Sequence, residues 1–180
     1  MEVTNPPERV VLNTAQLENA LERLAQQIMS GQAKPENLAL VGIRTRGEFL
    51  AKRLAQRIEK ALGITIPVGT LDTTLYRDDF NTRRKLTLGP TRIGFDILGK
   101  DLVLVDDVLF TGRTTRAALD HLADLGRASS ISLAVLIDRG HRELPIKADF
   151  IGASIETDKS EIVKVRLRET DGTDQVVAFR

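Results

Sequence analysis

The chain has 180 residues, with 26 Lys and Arg against 25 Asp and Glu, so its formal net charge is +1. This length predicts a single domain over residues 1–180, and the balanced charge gives no support for nucleic-acid binding unless basic residues gather on one face. The absence of cysteine excludes disulfides and Cys-ligated metals, and two histidines are too few for an all-histidine metal site. No apolar stretch is long enough to span a membrane and no secretory leader is evident, so we expect a cytoplasmic protein with no membrane contact.

The first part of the chain predicts a helix, a strand and a second helix. Residues 1–9 contain consecutive prolines and are expected to form a loose lead-in. Asn13 or Thr14 can cap a helix whose apolar residues recur every three or four positions. That helix is expected to end at Gly31, and it is followed by a strand at 38–43, a helix at 47–62 and a second strand within 64–76.

The second part of the chain opens with a segment of different character. Residues 76–99 are rich in charge, threonine and glycine, which predicts a solvated hairpin or a flexible flap. Beyond it, strands are expected at 102–105, 131–137, 150–152, 162–167 and 176–179, with a helix at 116–125. The alternation predicts an α/β fold with a mainly parallel twisted sheet flanked by helices. In such sheets ligands bind at the carboxyl ends of the strands.

One segment carries most of the functional signal. The apolar run 102–105 ends in Asp106 and Asp107, and the loop Thr111–Thr115 then leads into a helix. Free N–H groups and the helix dipole favour a phosphate at such a position, while the carboxylates can accept hydrogen bonds from sugar hydroxyls or hold Mg²⁺. An ordinary helix cap would explain one Asp or Thr, but not two adjacent carboxylates that leave an apolar strand. The segment therefore predicts a ribose-phosphate site rather than a nucleoside triphosphate site.

These residues resemble the 5-phosphoribosyl 1-diphosphate (PRPP) motif of type I phosphoribosyltransferases. Three further segments, at 41–47, 74–79 and 138–146, occur in the order seen in the pyrimidine operon attenuator/uracil phosphoribosyltransferase family. The chain is similar to that family from about residue 10 to its C-terminus. The resemblance implies the type I phosphoribosyltransferase fold, a homo-oligomer, and an enzyme that makes UMP and pyrophosphate from uracil and PRPP with Mg²⁺.

The residues that would carry this chemistry fall into five groups. Asp106 and Asp107 would bind the ribose hydroxyls, and Mg²⁺ would be held mainly through PRPP with these carboxylates as its candidate protein ligands. The 5′-phosphate would lie against Val108, Leu109, Phe110, Thr111, Gly112, Arg113, Thr114 and Thr115. Pyrophosphate would lie at the turn of Arg44, Thr45, Arg46 and Gly47, unless the two arginines merely solvate that loop. The resemblance further implies a flexible loop at Tyr76, Arg77, Asp78 and Asp79, and a base pocket at Asp138, Arg139 and Val163.

Members of the family also bind pyrimidine operon leader RNA and sense uridine nucleotides. His141, Arg142, Lys147 and Lys159 match or resemble basic positions in the C-terminal half of the family, although a loop of solvated charges would look the same. Glu22 and Gln26 stand where attenuator members carry a hydroxyl and a histidine. Because a carboxylate repels phosphate, we expect RNA recognition to be lost or altered in this chain.

Two other functions stay open at this point. The chain could be an RNA-binding regulator whose PRPP site is vestigial and only senses nucleotides, or a phosphoribosyltransferase for a purine base. The intact segments 44–47 and 76–79 favour an enzyme. The choice of uracil over a purine rests on the family resemblance alone.

Overall fold

The computed structural model describes residues 7–31, 34–78 and 89–180. Residues 1–6 of the expected lead-in and residues 79–88 of the expected flap, including Asp79, lie outside the described residues. The strands are β1 (Arg9–Leu12), β2 (Leu38–Ile43), β3 (Val68–Leu71), β4 (Asp101–Leu109), β5 (Ser130–Asp138), β6 (Phe150–Ser154), β7 (Ile162–Arg166) and β8 (Gln175–Phe179). The helices are α1 (Thr14–Gly31), α2 (Arg46–Leu62), α3 (Arg113–Leu125) and α4 (Arg168–Asp171), with short 3-10 helices at Pro35–Asn37 and Thr74–Tyr76.

A parallel sheet forms the centre of the described structure, with strand order β3-β2-β4-β5-β6. Successive residues of its buried strands face opposite sides, so Leu38 and Leu40 pack in one apolar cluster with α1 and α2. Ala39 and Val41 pack in a second cluster with α3. The predicted α/β fold with a mainly parallel sheet is therefore confirmed.

Strands β1, β8 and β7 form a second, antiparallel sheet in that order. The sequence predicted only one sheet and did not assign any strands to a second. Strand β1 was missed altogether, because four residues give little periodicity and Arg9 pairs with Ala178 at the other end of the chain.

A buried ion-pair network joins this sheet to the helices. The carboxylate of Asp174 accepts hydrogen bonds from Arg53 Nη2 (2.8 Å) and Arg168 Nε (3.1 Å). Burial by itself would raise the pKa of Asp174, but these hydrogen bonds lower it below the ordinary value.

The predicted helix start near residue 13 is confirmed, and the capping residue is Asn13. Asn13 Oδ1 accepts from Gln16 N and Gln16 Oε1 accepts from Asn13 N, both at 2.9 Å, which is a reciprocal capping box. Thr14, the alternative cap, instead donates its hydroxyl to Asp174 O (2.8 Å). At 18 residues α1 is too polar to cross a membrane, and no other helix within the described ranges could do so.

The outer edge of the parallel sheet is covered by side chains of α1. Gln27 donates from Nε2 to Ile151 O (3.0 Å) and accepts at Oε1 from Ile151 N (3.1 Å). Arg23 donates from Nη2 to Gly152 O (2.7 Å). Strand β6 is the last strand of the sheet, so these bonds occupy backbone groups that would otherwise be open to another chain.

Replacing Gln27 should therefore destabilise the protein more than replacing its neighbour on the helix. Gln27→Ala leaves both backbone groups of Ile151 without their partner, so the free energy of unfolding should fall by about 1–2 kcal/mol. Gln26→Ala is the matched control, since among the described residues this exposed side chain bonds only Glu22, and its loss should change stability by less than about 0.5 kcal/mol. Urea unfolding followed by circular dichroism measures both, and equal effects would contradict the assignment.

Candidate active site

Polar residues, most of them predicted from the sequence, meet at the carboxyl edge of the parallel sheet. Arg44 follows β2, Asp72 follows β3, and Asp106 lies near the end of β4. Strand β4 pairs with β2 on one side and with β5 on the other, which brings Asp138 at the end of β5 opposite Leu109. Four strand ends at this edge therefore carry a charged residue. Ligands bind at this edge in sheets of this class.

Strand β4 and helix α3 differ from their predicted bounds. The strand continues through both aspartates to Leu109, because its pairing with β5 continues past the apolar run. The helix begins at Arg113 rather than at 116, so Arg113, Thr114 and Thr115 form its first turn. The carboxylates consequently lie within the strand, and the first N–H groups of α3 open toward the same edge.

A small cavity of about 110 Å³ lies at the start of α3. Gly112 precedes the helix with φ of 91°, and a Cβ there would also approach Ile146 to 3.0 Å, so glycine is required on both counts. The cavity lies where the phosphate cradle is expected, although Arg113 is not among its walls. The residues that line it are Arg77, Asp106, Val108, Leu109, Phe110, Thr111, Gly112, Thr114 and Thr115.

The two carboxylates have different surroundings. Asp106 is buried and Asp107 is half-buried, and each carboxylate accepts a hydrogen bond from the next backbone N–H, at 2.9 and 2.8 Å. Burial raises the pKa of Asp106 well above its ordinary value, the charge of Asp107 adds to this, and the more distant charge of Arg77 opposes it. Within the described residues no cluster of three or more potential metal-ligating side chains occurs. Two adjacent carboxylates suit Mg²⁺ only when ligand oxygens complete its shell, which fits a cation that arrives with PRPP.

The turn between β2 and α2 is held close to the aspartates by two glycines. A Cβ at Gly47 would lie 2.5 Å from Val105 O, and one at Gly42 would lie 2.4 Å from Gly47 O, so larger residues would push the turn away. Arg44 Nη1 is buried 3.8 Å from Asp72 Oδ2, and it has no hydrogen-bond partner among the residues that the structure describes. A buried guanidinium nitrogen with an unused donor is what an arriving anion would bind.

Arg46 and Thr45 complete this turn, the expected pyrophosphate site. Thr45 is exposed and directly precedes α2, and the peptide bond between Arg44 and Thr45 is cis. Arg46 Nη2 donates to Asp171 at 3.0 Å, which ties the turn to α4 and the second sheet. Although burial alone would raise it, hydrogen bonds from Thr170, the backbone N–H of Leu167 and Arg46 lower the pKa of Asp171 to about 2.

Residues 72–78, the stem of the expected flap, are fixed against α3. The Tyr76 ring stacks on His121 with ring centroids 4.4 Å apart, and its hydroxyl donates to Asp124 at 2.7 Å. Asp78 accepts from Arg113 (2.5 Å) and Arg116 (3.4 Å). Residues 72–75 fell within the segment 64–76 that was expected to contain a strand, and residues 76–78 within the expected flap or solvated hairpin. Neither expectation included contacts with α3, because the spatial proximity of α3 cannot be read from local composition.

The expected base pocket divides between two cavities. Arg139 and Val163 line a cavity of about 370 Å³ whose other walls include Val108 and Phe110. Arg139 is buried, its guanidinium lies 4.0 Å from the Phe110 ring centroid, and it donates to the carbonyls of residues 158 and 161. Asp138 is not part of these walls. Its carboxylate accepts from Gly140 N (3.0 Å) and Arg142 Nη2 (2.6 Å), and it borders a separate cavity of about 450 Å³.

The basic residues considered for RNA are placed differently from one another. Arg142 donates to Phe110 O (3.0 Å) and Ile146 O (3.0 Å), so its guanidinium holds neighbouring loops together. His141 Nε2 lies 2.6 Å from Thr157 O. Lys147 and Lys159 are exposed, and Lys159 Nζ lies 3.5 Å from Glu143. Only the two lysines project from the surface in the way that a phosphate contact needs.

Several residues of this edge were missed by the sequence argument. Asp72 follows strand β3 directly, which is the same signal that identified Asp106, and its carboxylate accepts from Thr74 N (2.8 Å) and Gly89 N (2.5 Å). Glu143 and Asp171 gave no comparable signal, because they act through partners far away in the chain.

The chain matches the family model described as the phosphoribosyl transferase domain over residues 11–170. A relative from Chloroflexus aurantiacus named "Bifunctional protein PyrR" is 55% identical over 174 residues, which cover 96% of each chain. The relative of the same name from Deinococcus radiodurans is 50% identical over 174 residues, covering 96% of this chain and 95% of its own. This chain belongs to the bifunctional PyrR family of phosphoribosyltransferases.

Solved structures agree on the fold. The hypoxanthine phosphoribosyltransferase of Trypanosoma cruzi in complex with IMP has a TM-score of 0.72 at 16% identity, covering 100% of this chain and 97% of its own. A hypoxanthine phosphoribosyltransferase from Staphylococcus aureus has a TM-score of 0.68 at 22% identity, covering 96% of this chain and 92% of its own. At these identities the likeness shows the type I phosphoribosyltransferase fold alone.

The Arg46–Asp171 contact should make stability depend on acidic pH. A folded-state pKa of about 2 against an ordinary value of 3.8 means that the contribution of Asp171 is complete above about pH 4 and is lost as pH falls toward 2. Asp171→Asn should lower the free energy of unfolding by about 1–2 kcal/mol at pH 7, allowing for solvent screening. Urea unfolding at pH 7, 5, 4 and 3 should show the difference from wild type shrinking with acidity. Asp120→Asn, an exposed carboxylate on α3, is the control, and a pH-independent difference for Asp171→Asn would contradict the linkage.

Proposed function

We propose that this PyrR-family chain transfers the phosphoribosyl group of PRPP to uracil, which yields UMP and pyrophosphate. One observation carries the proposal. The cradle at the start of α3, the two β4 carboxylates and the arginine turn after β2 all lie along one sheet edge. PRPP carries a phosphate, two ribose hydroxyls and a diphosphate, so each part of the edge has a chemical counterpart in the substrate.

The reaction breaks the C1–O bond of PRPP and forms a C1–N bond to uracil. The diphosphate leaves with the bonding electron pair, and uracil loses its N1 proton. The N–H groups at the start of α3 would anchor the 5′-phosphate, while Asp106 and Asp107 would orient the ribose through its hydroxyls. Arg44 would stabilise the charge that develops on the leaving diphosphate, since its buried Nη1 has a donor to spare. Mg²⁺ carried by PRPP would add positive charge at the diphosphate, with Asp106 and Asp107 as its candidate protein ligands.

The uracil would occupy the cavity between the end of β4 and residues 159–163. Its walls are largely apolar, and the Phe110 ring is held in place by the guanidinium of Arg139. A flat pyrimidine ring suits such a cavity. The uracil assignment follows the PyrR family, while a purine base remains the alternative because the solved neighbours quoted above are named for hypoxanthine. Parallel assays with uracil, adenine, guanine and hypoxanthine decide between them, and turnover of a purine in place of uracil would overturn the proposal.

Replacing one β4 carboxylate should abolish most of the activity without unfolding the protein. Asp107→Asn keeps the size of the side chain but weakens its contact to a ribose hydroxyl in the transition state, so kcat/KM for PRPP should fall about 10²-fold or more. Asp120→Asn, on the exposed surface of α3, should keep the wild-type value. Steady-state kinetics with circular dichroism as the folding check tests this, and wild-type turnover by Asp107→Asn would refute the site.

We also propose that binding of pyrimidine operon leader RNA accompanies the enzymatic activity, because the relatives are named bifunctional. The expectation that Glu22 opposes RNA binding stays a prediction. The repulsion between Glu22 and phosphate should be weaker than the sequence suggested, because two neighbouring side chains contact its carboxylate. Arg57 Nε lies 3.8 Å from the Glu22 carboxylate, and Gln26 Nε2 donates to it at 3.2 Å, so part of its charge is compensated.

The expected homo-oligomer and cytoplasmic location likewise stay predictions from the sequence.

Filter binding to leader RNA, with and without UMP at several salt concentrations, tests the RNA proposal. Removing the carboxylate with Glu22→Gln should strengthen binding, and removing an exposed cation with Lys147→Ala should weaken it and flatten its salt dependence. Absence of UMP-dependent binding in the wild-type protein would overturn the proposal and leave the transferase function standing.

A further inference from the structure

The positively charged side chain in the wall of the phosphate cradle belongs to the flap stem. Among the described residues that line the cradle, Arg77 is the only cation, and it comes from the flap stem rather than from α3. Its Nη1 donates to the hydroxyl of Thr114, in the first turn of that helix, at 3.2 Å. The guanidinium therefore lies beside the helix N–H groups that favour an anion.

Arg113, the arginine of the phosphate motif itself, is engaged elsewhere. Its Nε donates to Glu143 at 3.0 Å and its Nη1 donates to Asp78 at 2.5 Å. These two partners come from the loop after β5 and from the flap stem, so the side chain of Arg113 joins two loops outside the cavity. Arg113 is not among the residues that line the cradle.

The position of Arg77 is fixed by its neighbours on both sides. Before it, Tyr76 stacks on His121 and bonds Asp124. After it, Asp78 bonds two arginines of α3. These contacts restrain the backbone on both sides of Arg77, and its bond to Thr114 directs the side chain to the cradle before any ligand arrives. Such preorganisation reduces the entropy that binding costs.

We propose that Arg77 is the residue whose charge binds the 5′-phosphate of PRPP and UMP, with Arg113 serving as a strut between loops. The inference rests on the proposed function and adds a substrate contact to it. A guanidinium can give a phosphate two parallel N–H donors, whereas helix N–H groups supply only partial charge. The flap stem and the start of α3 would then form one binding site built from two distant parts of the chain.

In the reverse reaction UMP and pyrophosphate form uracil and PRPP. This reaction tests the two proposed anion sites independently, because each substrate would occupy one of them. Arg77→Ala should raise KM for UMP by about 10- to 100-fold, as expected for the loss of a hydrogen bond between charged groups. KM for pyrophosphate should stay unchanged, because that anion binds at the turn after β2. Calorimetry with UMP should show the same loss of affinity, and Arg77→Lys should recover part of it by restoring the charge.

Two further variants make the test specific. Arg127→Ala removes an exposed cation beyond the end of α3 that does not line the cradle, so both KM values should match wild type. Arg113→Ala should raise KM for UMP less than Arg77→Ala does. An equal or larger loss in Arg113→Ala would overturn the inference, as would an unchanged KM for UMP in Arg77→Ala, or a rise in KM for pyrophosphate that matches the rise for UMP. If the wild-type protein itself neither binds UMP nor turns over, the proposed function fails and not merely the role of Arg77.

Discussion

The close approach of α2 to strand β4 is the contact on which the rest of the site depends. Helices in this fold start at the carboxyl edge of the sheet, and here the first turn of α2 touches the backbone of β4 directly. Only a hydrogen atom fits at Gly47, whose Cβ would stand 2.5 Å from Val105 O. Gly42 fulfils the same requirement one layer below, against Gly47 O. Because both contacts involve backbone atoms, no change of side-chain rotamer could relieve a larger residue.

This contact brings the two proposed anion sites within reach of one substrate. The turn that carries Arg44 packs directly against the backbone of Val105, and Asp106 follows Val105 directly in the strand. The cradle at Gly112 lies at the end of that same strand, so the two ends of a bound PRPP would be separated by a single stretch of β4. The sheet register keeps this spacing, since β4 is paired on both sides. A rigid spacing of this kind favours catalysis by positioning rather than by a reactive side chain.

The outer parts of the site are held together by charge rather than by apolar packing. Asp78, Arg113, Glu143 and Lys159 form a chain of ion pairs that crosses the flap stem, the start of α3 and the loops after β5 and β6. Each of these pairs is partly exposed and contributes little to stability on its own. Together with the stacking of Tyr76 on His121, these pairs hold the flap stem beside α3. The buried Asp174 network, in contrast, joins the second sheet to α2 away from solvent.

The sequence alone determined the class of fold, the strand and helix alternation, and the residues of the phosphate motif. Those features depend on local patterns: apolar runs, helical spacing, and carboxylates and glycine at the end of a strand. Asp106, Gly112 and Gly47 were found in this way, and the structure places all three at one edge. Tertiary structure decided what depends on contacts between distant segments, which local pattern does not contain. It separated the second sheet from the first and placed Asp138 outside the cavity that Phe110 and Val163 line. It also assigned Arg142 to holding loops, and placed Arg77 rather than Arg113 in the wall of the cradle.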